Sequence, residues 1–322
     1  MISSYQSAFI SYLEKQVYTQ PPASLYEPVH YILSLGGKRI RPVLTLMAAD
    51  AVSGNFEQAL PAAMTVEVFH NFSLVHDDIM DEAPLRRGQP TVHEKWDVNT
   101  GILSGDVMLV MAYEWLNGYP AAQFTPLTKL FSKTAREVCE GQQYDMDFPN
   151  QTSVSQKEYL HMITCKTAVL LGCALQMGAI VGGLDMEESQ PFYDFGLQMG
   201  IAFQLQDDYL DAFGDPKTFG KQVGGDIIEN KKTLLYLLAL EKSDEAQRSE
   251  LLHWMSTQPA DPTDKIASVK QLFKATSSDL AIQELMEAYT QKALKEVVNF
   301  PVAQEKKDLF TSFALQLIKR QL

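Results

Sequence analysis

The sequence contains little cysteine, and this limits the compartments and the kinds of site that it suggests. The 322-residue chain has three cysteines, an odd number without the paired spacing typical of a metal site. Cys165 and Cys173 fall inside an apolar helical stretch, where free thiols act as small buried hydrophobes. We therefore expect the protein in a reducing cytoplasm.

An excess of positive charge is also missing. The chain has 40 acidic and 27 basic residues, a formal net charge of -13. A field of that sign repels nucleic acids and anionic membranes, so we expect neither as a partner. An anionic small molecule would be repelled as well, unless a local basic pocket or bridging cations received it.

Neither a secretory leader nor a membrane anchor is expected. The N-terminal MISSYQSAFISYLEK has no basic start and no continuous apolar run. The longest weakly polar segment, TAVLLGCALQMGAIVGGL, follows Lys166 and is long enough to cross a bilayer. It also contains Gln176 and four glycines, and large helical cores routinely contain such helices. We therefore expect a buried core helix and no stable membrane insertion.

The sequence lacks strict alternation of polar and apolar residues, and it lacks Asn-Gly or Asp-Gly turns between β-branched segments. Instead, apolar residues recur at intervals of three and four, as in MTVEVFHNFSLV and GILSGDVMLVMAYEWL. This pattern predicts an all-α protein. The glycine- and proline-containing breaks are too short for interdomain linkers, so we expect one domain over residues 1–322.

Two acidic clusters interrupt these apolar helices, HDDIMD at 76–81 and QDDYLD at 206–211. Residues four apart on a helix lie one above the other, so Asp77 and Asp81 share a face with Asp78 beside them. The second cluster repeats this arrangement with Asp207, Asp208 and Asp211, and Gln204 shares their face.

Carboxylates at this spacing repel one another, so a positive group is expected beside them. Hard oxygen ligands suit Mg²⁺, which typically binds one or two carboxylates together with substrate phosphates. The alternative is a solvated acidic face, or acids at a helix N-terminus, which would explain one cluster more easily than two.

Several basic residues lie at the start of a predicted helix, where the helix dipole disfavours positive charge. In LGGKRIRPVLTL, Lys38, Arg39 and Arg41 crowd the start of a helix whose dipole prefers anions. A bound phosphate would resolve that conflict, whereas long basic side chains that reach into solvent would not need one. Further basic residues follow each acidic cluster: Arg86 and Arg87 after the first, Lys221 and Lys231 after the second. The two acidic clusters, which would bind Mg²⁺, and the basic residues near them together predict a diphosphate site.

Several linked motifs resemble those of the trans-type isoprenyl diphosphate synthases, the polyprenyl synthetase family. They are GGKRIRP, EVFHNFSLVHDDIMDEAPLRRGQPTVH, the Lys166–Thr167 pair, FQLQDDYLD, FGKQVGGDI and NKKTLL, in family order from position 36 to about 235. The resemblance implies roughly a dozen helices around a central cavity, a homodimer, and two aspartate motifs facing across the cavity. It also implies condensation of an allylic diphosphate with isopentenyl diphosphate, with three Mg²⁺ per active site when substrate is bound.

The resemblance also implies roles for individual residues. Metal would be bound by Asp77, Asp81, Asp207 and Asp211, with Asp78 and Asp208 in support. The allylic diphosphate would be held by Arg86, Lys166, Lys221 and Lys231, and the cationic centre would face Thr167 and Gln204. Isopentenyl diphosphate would be held by Lys38, Arg41, His70 and Arg87.

Some of these side chains could instead have purely structural roles. His70 could be a core histidine, Thr167 could bond back to its own helix, and Gln204 could be a buried structural amide. The predicted chemistry needs no protein nucleophile, because metal and basic residues neutralise the leaving diphosphate.

Product length depends on the depth of the pocket. Phe72 lies five residues before Asp77, about 7.5 Å along a helix axis, and its ring would close the pocket beneath the growing chain beside the small Ser73. An aromatic residue at this position is associated in the family with short products. We expect a farnesyl- or geranylgeranyl-length product of about fifteen to twenty carbons, with geranylgeranyl diphosphate slightly favoured.

Three other functions are compatible with parts of the pattern. A class I terpene cyclase shares the fold and the first motif but usually lacks DDYLD and GGKRIRP. An inactive regulatory subunit of a prenyl synthase should have lost some acids or the basic connector. A helical interaction protein with solvated acids would bind no metal and diphosphate.

Overall fold

Helices form nearly all the regular structure in the computed structural model, which describes residues 2–16, 20–215 and 223–318. The predicted all-α fold is confirmed. The α-helices are Ile2–Gln16, Ala23–Ser34, Ile40–Ser53, Leu60–Met80, Val92–Lys95, Val98–Glu114, Ala121–Asp147, Gln156–Ile163, Val169–Gly182, Gln190–Phe213, Gly225–Ile228, Leu234–Lys242, Glu245–Trp254, Thr263–Ala275, Ser278–Val298 and Gln304–Ile318. Two of them carry the acidic motifs: the first aspartate helix is Leu60–Met80 and the second aspartate helix is Gln190–Phe213.

Local sequence signals define many helix ends. Asp97 precedes Val98–Glu114, and its carboxylate accepts a hydrogen bond from the backbone N–H of Thr100, which satisfies one of the unpaired donors of the first turn. Ser155 and Glu158 form a reciprocal capping box at the start of the helix Gln156–Ile163. These caps explain why short polar breaks are enough to separate long apolar helices.

A small β-hairpin is the one departure from helix and coil that the described residues show. Leu85–Arg86 pairs in antiparallel fashion with Gln89–Pro90, and the sequence pattern did not predict it. The two turn residues Arg87 and Gly88 have φ angles of +53° and +73°, as a tight two-residue hairpin requires. The usual Asn-Gly signal is absent because an arginine occupies the first left-handed position.

The chain folds as two compact units. Unit 1 comprises Met1–Arg136, Leu170–Tyr193 and Phe300–Ala303. Within it, the first aspartate helix packs against Val98–Glu114 and Ile40–Ser53. Unit 2 comprises Glu137–Val169, Asp194–Asn299 and Gln304–Leu322.

Unit 2 has its own apolar core. Helix Leu234–Lys242 lies buried and packs against Ser278–Val298 and Gln156–Ile163. Phe273 and Leu205 are among the side chains that fill this core. The expectation of one domain over residues 1–322 stays a prediction.

The longest apolar segment is a core helix. The helical run over Gln156–Gly182 is long and apolar enough to cross a membrane, but 83% of its most apolar stretch is buried inside the protein. Gln176, whose polarity counted against a membrane span, donates to the backbone oxygen of Met186 and to Ser189 Oγ. Protein atoms therefore cover the face that lipid would otherwise contact.

Candidate active site

The first acidic motif lies at the C-terminal end of the first aspartate helix. The side chain of Asp77 is 18% exposed and that of Asp78 is 1% exposed. Asp81 follows the last helical residue, is exposed, and its backbone N–H still donates to Asp77 O at 2.9 Å. Three carboxylates therefore crowd a helix end whose dipole disfavours anions, which indicates a functional rather than a stabilising arrangement.

Arg86 from the hairpin neutralises the buried member of this motif. Its Nε lies 2.8 Å from both carboxylate oxygens of Asp78, and one Nη lies 2.6 Å from Asp78 and 3.5 Å from Asp77. Burial raises the pKa of Asp78, and the guanidinium opposes that rise. Asp78 is thus a structural partner of Arg86, which leaves Asp77 and Asp81 as the more accessible acids of the motif.

Four residues predicted to hold isopentenyl diphosphate line one pocket in unit 1. The pocket has a volume of about 420 Å³. Its walls come from the connector before helix Ile40–Ser53, from the first turn of that helix, from the first aspartate helix and from the hairpin. The four predicted residues that line it are Lys38, Arg41, His70 and Arg87.

His70 is neutral in this basic environment. Arg41 Nη lies 3.2 Å from His70 Nε2, and because a guanidinium only donates, Nε2 must be the unprotonated acceptor. Burial, together with the charges of Arg41 and Arg87, lowers the pKa of His70 well below 6.5. The imidazole therefore orients Arg41 and leaves the proton on Nδ1.

Arg39 lines the same pocket, but its charge is paired within the protein. Its guanidinium is buried and bonds to Glu67 and to the backbone oxygen of Leu33. Arg39 has a left-handed backbone with φ of +49°, which sends its side chain inward while Lys38 stays exposed. A buried acid on the first aspartate helix thus anchors the connector.

Phe72 is buried one turn before the acidic motif. It is 7% exposed, and its ring centroid lies 5.4 Å from that of Phe69 and 4.8 Å from that of His76. Ser73 beside it donates to the backbone oxygen of His70 at 2.8 Å. An aromatic ring fixed between two others is a rigid element, as a floor for a growing chain would need to be.

The second acidic motif, in unit 2, also combines one buried aspartate with a more exposed one. Asp208 is buried at 4% exposure, whereas Asp207 is half-buried. Asp208 accepts hydrogen bonds from Tyr159 Oη and from Gln204 Nε2, the latter at 3.2 Å. Gln204 Oε1 in turn accepts from Thr167 Oγ1 at 3.2 Å. This chain of contacts assigns the amide a fixed orientation and connects it to the predicted cation-facing hydroxyl.

The acids of unit 2 repel one another strongly. Burial and the nearby Asp226 raise the pKa of Asp208 well above its usual range. The same two causes raise the pKa of Asp211 to about 6, although the backbone N–H of Asp226 donates to Asp211 Oδ2 at 3.0 Å. Such a cluster favours a bound cation, because a cation would stabilise the ionised carboxylates.

The predicted lysines of unit 2 have different surroundings. Lys166 Nζ lies 2.6 Å from Asp145 Oδ2. Lys231 Nζ lies 3.6 Å from Asp226 and 2.8 Å from Glu229. Lys221 lies outside the described residues.

The neighbouring Lys232 has a structural role. Its Nζ donates to the backbone oxygens of Phe148 and Gln151, at the end of the helix Ala121–Asp147. Lysine near a helix C-terminus satisfies carbonyls that have no partner within the helix. Only the first lysine of the NKK sequence is therefore a candidate for ligand binding.

Sequence reasoning missed Tyr159, Asp145 and Asp226. Asp226 lies inside the motif FGKQVGGDI, so the signal was available. Tyr159 and Asp145 lie 49 and 21 residues from the partners they contact, and a single sequence does not show such pairings.

The donors present suit a hard divalent cation. Among the residues that the structure describes, no group of three or more histidine, cysteine or acidic side chains forms a ready-made metal cage. Mg²⁺ rarely needs one, since it keeps several waters and takes the remaining ligands from one or two carboxylates and substrate phosphates. Asp77 with Asp81, and Asp207 with Asp211, provide such oxygen pairs.

Comparison with known proteins decides the family. The polyprenyl synthetase model matches residues 22–276. The chain belongs to the polyprenyl synthetase family. It is 42% identical over 223 residues to a geranylgeranyl diphosphate synthase of Methanosarcina mazei, covering 69% of each chain. It is 35% identical over 326 residues to a geranylfarnesyl diphosphate synthase of Natronomonas pharaonis, covering 96% of this chain and 93% of that one.

A solved structure supports the same assignment for the fold. A crystal structure of a geranylgeranyl pyrophosphate synthase matches with a TM-score of 0.96 and 52% sequence identity, covering 100% of this chain and 99% of that one. The polyprenyl synthetase resemblance predicted from the motifs is confirmed, and with it the all-α fold of that family.

Proposed function

We propose that this polyprenyl synthetase condenses an allylic diphosphate with isopentenyl diphosphate and releases a short prenyl diphosphate. The chain is a short-chain trans-prenyltransferase. The single observation that carries the reaction is the pocket lined by Lys38, Arg41, His70 and Arg87. A terpene cyclase has no second diphosphate substrate and would not need that pocket.

Ionisation of the allylic diphosphate is the first chemical step. The C–O bond breaks, its electron pair stays on the diphosphate, and an allylic cation remains. Lys166, Arg86 and Lys231 bind the diphosphate and stabilise its increasing negative charge, a role that Lys221 is proposed to share. Asp77, Asp81, Asp207 and Asp211 would hold Mg²⁺, which would supply Lewis-acid stabilisation of the leaving group when bound, with three ions proposed per active site.

Thr167 and Gln204 are proposed to stabilise the allylic cation. Because Gln204 Nε2 donates to Asp208, the amide is oriented with its oxygen toward Thr167 rather than free to rotate. Fixed oxygen dipoles beside a developing positive charge lower its energy without reorganisation during the reaction. No side chain has to form a covalent bond to substrate.

Isopentenyl diphosphate supplies the nucleophile. Arg41, Arg87 and Lys38 bind its diphosphate, and His70 holds Arg41 in place through the 3.2 Å contact. Its double bond attacks the allylic cation to form the new C–C bond, and loss of a proton restores an alkene. The released diphosphate is the proposed acceptor of that proton, so no histidine or cysteine base is required.

Product length is proposed to follow from Phe72 on the first aspartate helix, with Ser73 leaving space beside it. The relatives include geranylgeranyl and geranylfarnesyl diphosphate synthases, which supports a product near the upper end of the predicted fifteen to twenty carbons. We propose geranylgeranyl diphosphate.

The protein is proposed to act as a cytoplasmic homodimer. Helix Val98–Glu114 exposes several large apolar side chains, among them Ile102, Leu103 and Val110, which are 42%, 60% and 56% exposed. Such a cluster on one helix is typical of a surface that a partner covers, and a second copy of the chain is the proposed partner.

The function is tested by product analysis. Purified protein is incubated with Mg²⁺, isopentenyl diphosphate and, in turn, dimethylallyl, geranyl or farnesyl diphosphate, and products are identified by mass spectrometry. We expect prenyl diphosphates that require both substrates. A cyclic hydrocarbon formed without isopentenyl diphosphate would instead identify a terpene cyclase, and no product from any primer would support an inactive subunit.

A further inference from the structure

Lys166 and Thr167 lie in an unusual helical turn. Residues Thr164–Ala168 form a π-helical turn between the helices Gln156–Ile163 and Val169–Gly182. A π-turn contains one residue more than an α-turn, is rare, and often occurs at functional sites. The extra residue changes the direction in which Lys166 and Thr167 project, so the contacts that hold the turn decide where these two side chains lie.

Gly141 lets the helix Ala121–Asp147 touch this turn backbone to backbone. A Cβ atom added at Gly141 would lie 2.2 Å from the backbone nitrogen of Lys166 and 2.7 Å from its Cα. Approaches that short do not occur, so any other residue would push the turn away. One helical turn later, Asp145 accepts a hydrogen bond from Lys166 Nζ at 2.6 Å. The close approach at Gly141 thus brings Lys166 within reach of Asp145.

Gly200, on the second aspartate helix, lets that helix approach the π-helical turn equally closely. A Cβ atom there would lie 2.6 Å from the Cα of Ala168 and 2.8 Å from its Cβ. One helical turn later, Gln204 accepts the hydrogen bond from Thr167 Oγ1 at 3.2 Å. Each glycine therefore precedes by four residues the side chain that holds one of the two functional groups.

We propose that Gly141 and Gly200 are positioning residues for prenyl transfer. They hold the π-helical turn between two helices and thereby fix the ammonium of Lys166 and the hydroxyl of Thr167. The kinetic consequence rests on the proposed function, because it assumes that these groups bind the allylic diphosphate and face its cation. The geometric part concerns unit 2 alone and can be measured without catalysis.

The kinetic test uses Gly141→Ala and Gly200→Ala. Alanine has a higher helix propensity than glycine, so harm from these changes must come from overlap with the turn. A misplacement of about 1 Å can cost roughly a hundredfold in rate. We expect the KM for the allylic diphosphate to rise and kcat to fall, by about tenfold to a hundredfold overall, while the KM for isopentenyl diphosphate stays within about twofold of wild type.

Gly178→Ala is the matched control. A Cβ atom at Gly178 would lie 2.1 Å from the backbone oxygen of Thr45, an overlap as severe as that at Gly141 but within unit 1 and away from the π-helical turn. We expect a comparable loss of Tm with an unchanged KM for the allylic diphosphate. If the KM for the allylic diphosphate rose equally in all three variants, general destabilisation would explain the rise. That result would overturn the proposal.

Hydrogen–deuterium exchange tests the geometry independently of activity. In the wild type, amides of Thr164–Ala168 should exchange as slowly as those of the flanking helices, and in Gly141→Ala and Gly200→Ala they should exchange at least about tenfold faster, as expected when local contacts open. Gly178→Ala should leave them unchanged. Fast exchange in the wild type would overturn the proposal even if neither variant folds. A wild type that exchanges slowly but transfers no prenyl group would refute the proposed function alone.

Discussion

Adjacent aspartates in each motif have different environments. Asp78 and Asp208 are buried, the first against Arg86 and the second against Tyr159 and Gln204. The aspartate preceding each is half-buried and nearer to solvent. The inner acid therefore holds neighbouring side chains in place, and the outer acid is the more solvent-exposed of the two.

Asp77→Asn and Asp78→Asn should separate these roles. Asp77 lies at a helix C-terminus, where a negative charge is unfavourable, so its loss should change the free energy of unfolding by at most about 0.5 kcal/mol. The turnover of the Asp77→Asn enzyme should fall roughly 10²–10³-fold, as when one electrostatic stabiliser of a transition state is removed. Asp78→Asn should lower the free energy of unfolding by about 1–3 kcal/mol, because it weakens a buried hydrogen-bonded pair with Arg86.

Urea denaturation and steady-state kinetics on the two variants provide the measurement. Near-normal turnover in Asp77→Asn would contradict the metal-binding role of that residue. A fully stable Asp78→Asn protein would contradict the structural role of the inner acid.

His70 should make folding stability depend on pH. Its pKa is lowered in the folded protein, whereas in the unfolded chain it titrates near 6.5. As pH falls below about 6.5 the unfolded chain takes up the proton first, so stability from this residue is complete above that pH and is lost below it. His70→Gln keeps an acceptor for Arg41 and should flatten the dependence of Tm on pH between about 5 and 7.

The exposed His30 supplies the control, since His30→Gln removes an imidazole that lies on the surface. A ring resonance showing His70 protonated at pH 7 in the ligand-free protein would be incompatible with its neutral role beside Arg41.

Single residues also show where prediction from the sequence stops. The spacing of Asp77 and Asp81 was sufficient to predict a shared face, because helical periodicity is local. The inward turn of Arg39 was not predictable, because it depends on Glu67, an acid 28 residues away. The partners of Lys166 and Asp208 likewise come from distant parts of the chain, and only the folded protein brings them together.

At the scale of elements, the first aspartate helix carries three residues with different proposed functions. His70 lines the basic pocket, Phe72 follows half a turn later, and Asp77 ends the series about 10 Å from His70 along the axis. Helical periodicity made the order of these residues predictable. The hairpin that holds Arg86 and the π-helical turn that holds Lys166 were not, since neither has a strong local sequence signal.

Phe72→Ala should lengthen the product. Removing the ring opens space beneath the growing chain, so products should gain at least one five-carbon unit while the first condensation continues. Mass spectrometry of dephosphorylated products measures this. Phe69→Leu is the control, because Phe69 is fully buried behind Phe72 on the same helix and its shortening should lower Tm without changing chain length. An unchanged product from Phe72→Ala would rule out Phe72 as the floor.

At the scale of the whole molecule, each compact unit carries a different set of ligand groups. Unit 1 carries the basic pocket and the first acidic motif, and unit 2 carries the second motif with its lysines. The net charge of -13 explains why both sets include fixed cations, since the overall field would otherwise oppose diphosphate binding. Composition alone therefore predicted the need for local basic groups.

Leu103→Glu should disrupt the proposed homodimer. Leu103 is 60% exposed on helix Val98–Glu114, so a charge there should cost the isolated chain little and should disfavour burial against a second copy. Sedimentation velocity should show a dimer for wild type and a shift toward monomer for the variant. Leu252→Glu, at a 43% exposed position elsewhere, should leave the dimer intact. A monomeric wild type would refute the assembly.

The central proposal is that both aspartate motifs are required for Mg²⁺-dependent binding of the allylic diphosphate. A double-mutant cycle on Asp77→Ala and Asp207→Ala tests it, with Mg²⁺-dependent binding of a non-ionisable allylic diphosphate analogue measured by calorimetry. If both motifs are required for that binding, the double variant should bind within about threefold of the weaker single variant, because residues that act as a unit are not additive. Losses that add in full would show two independent sites and contradict the account.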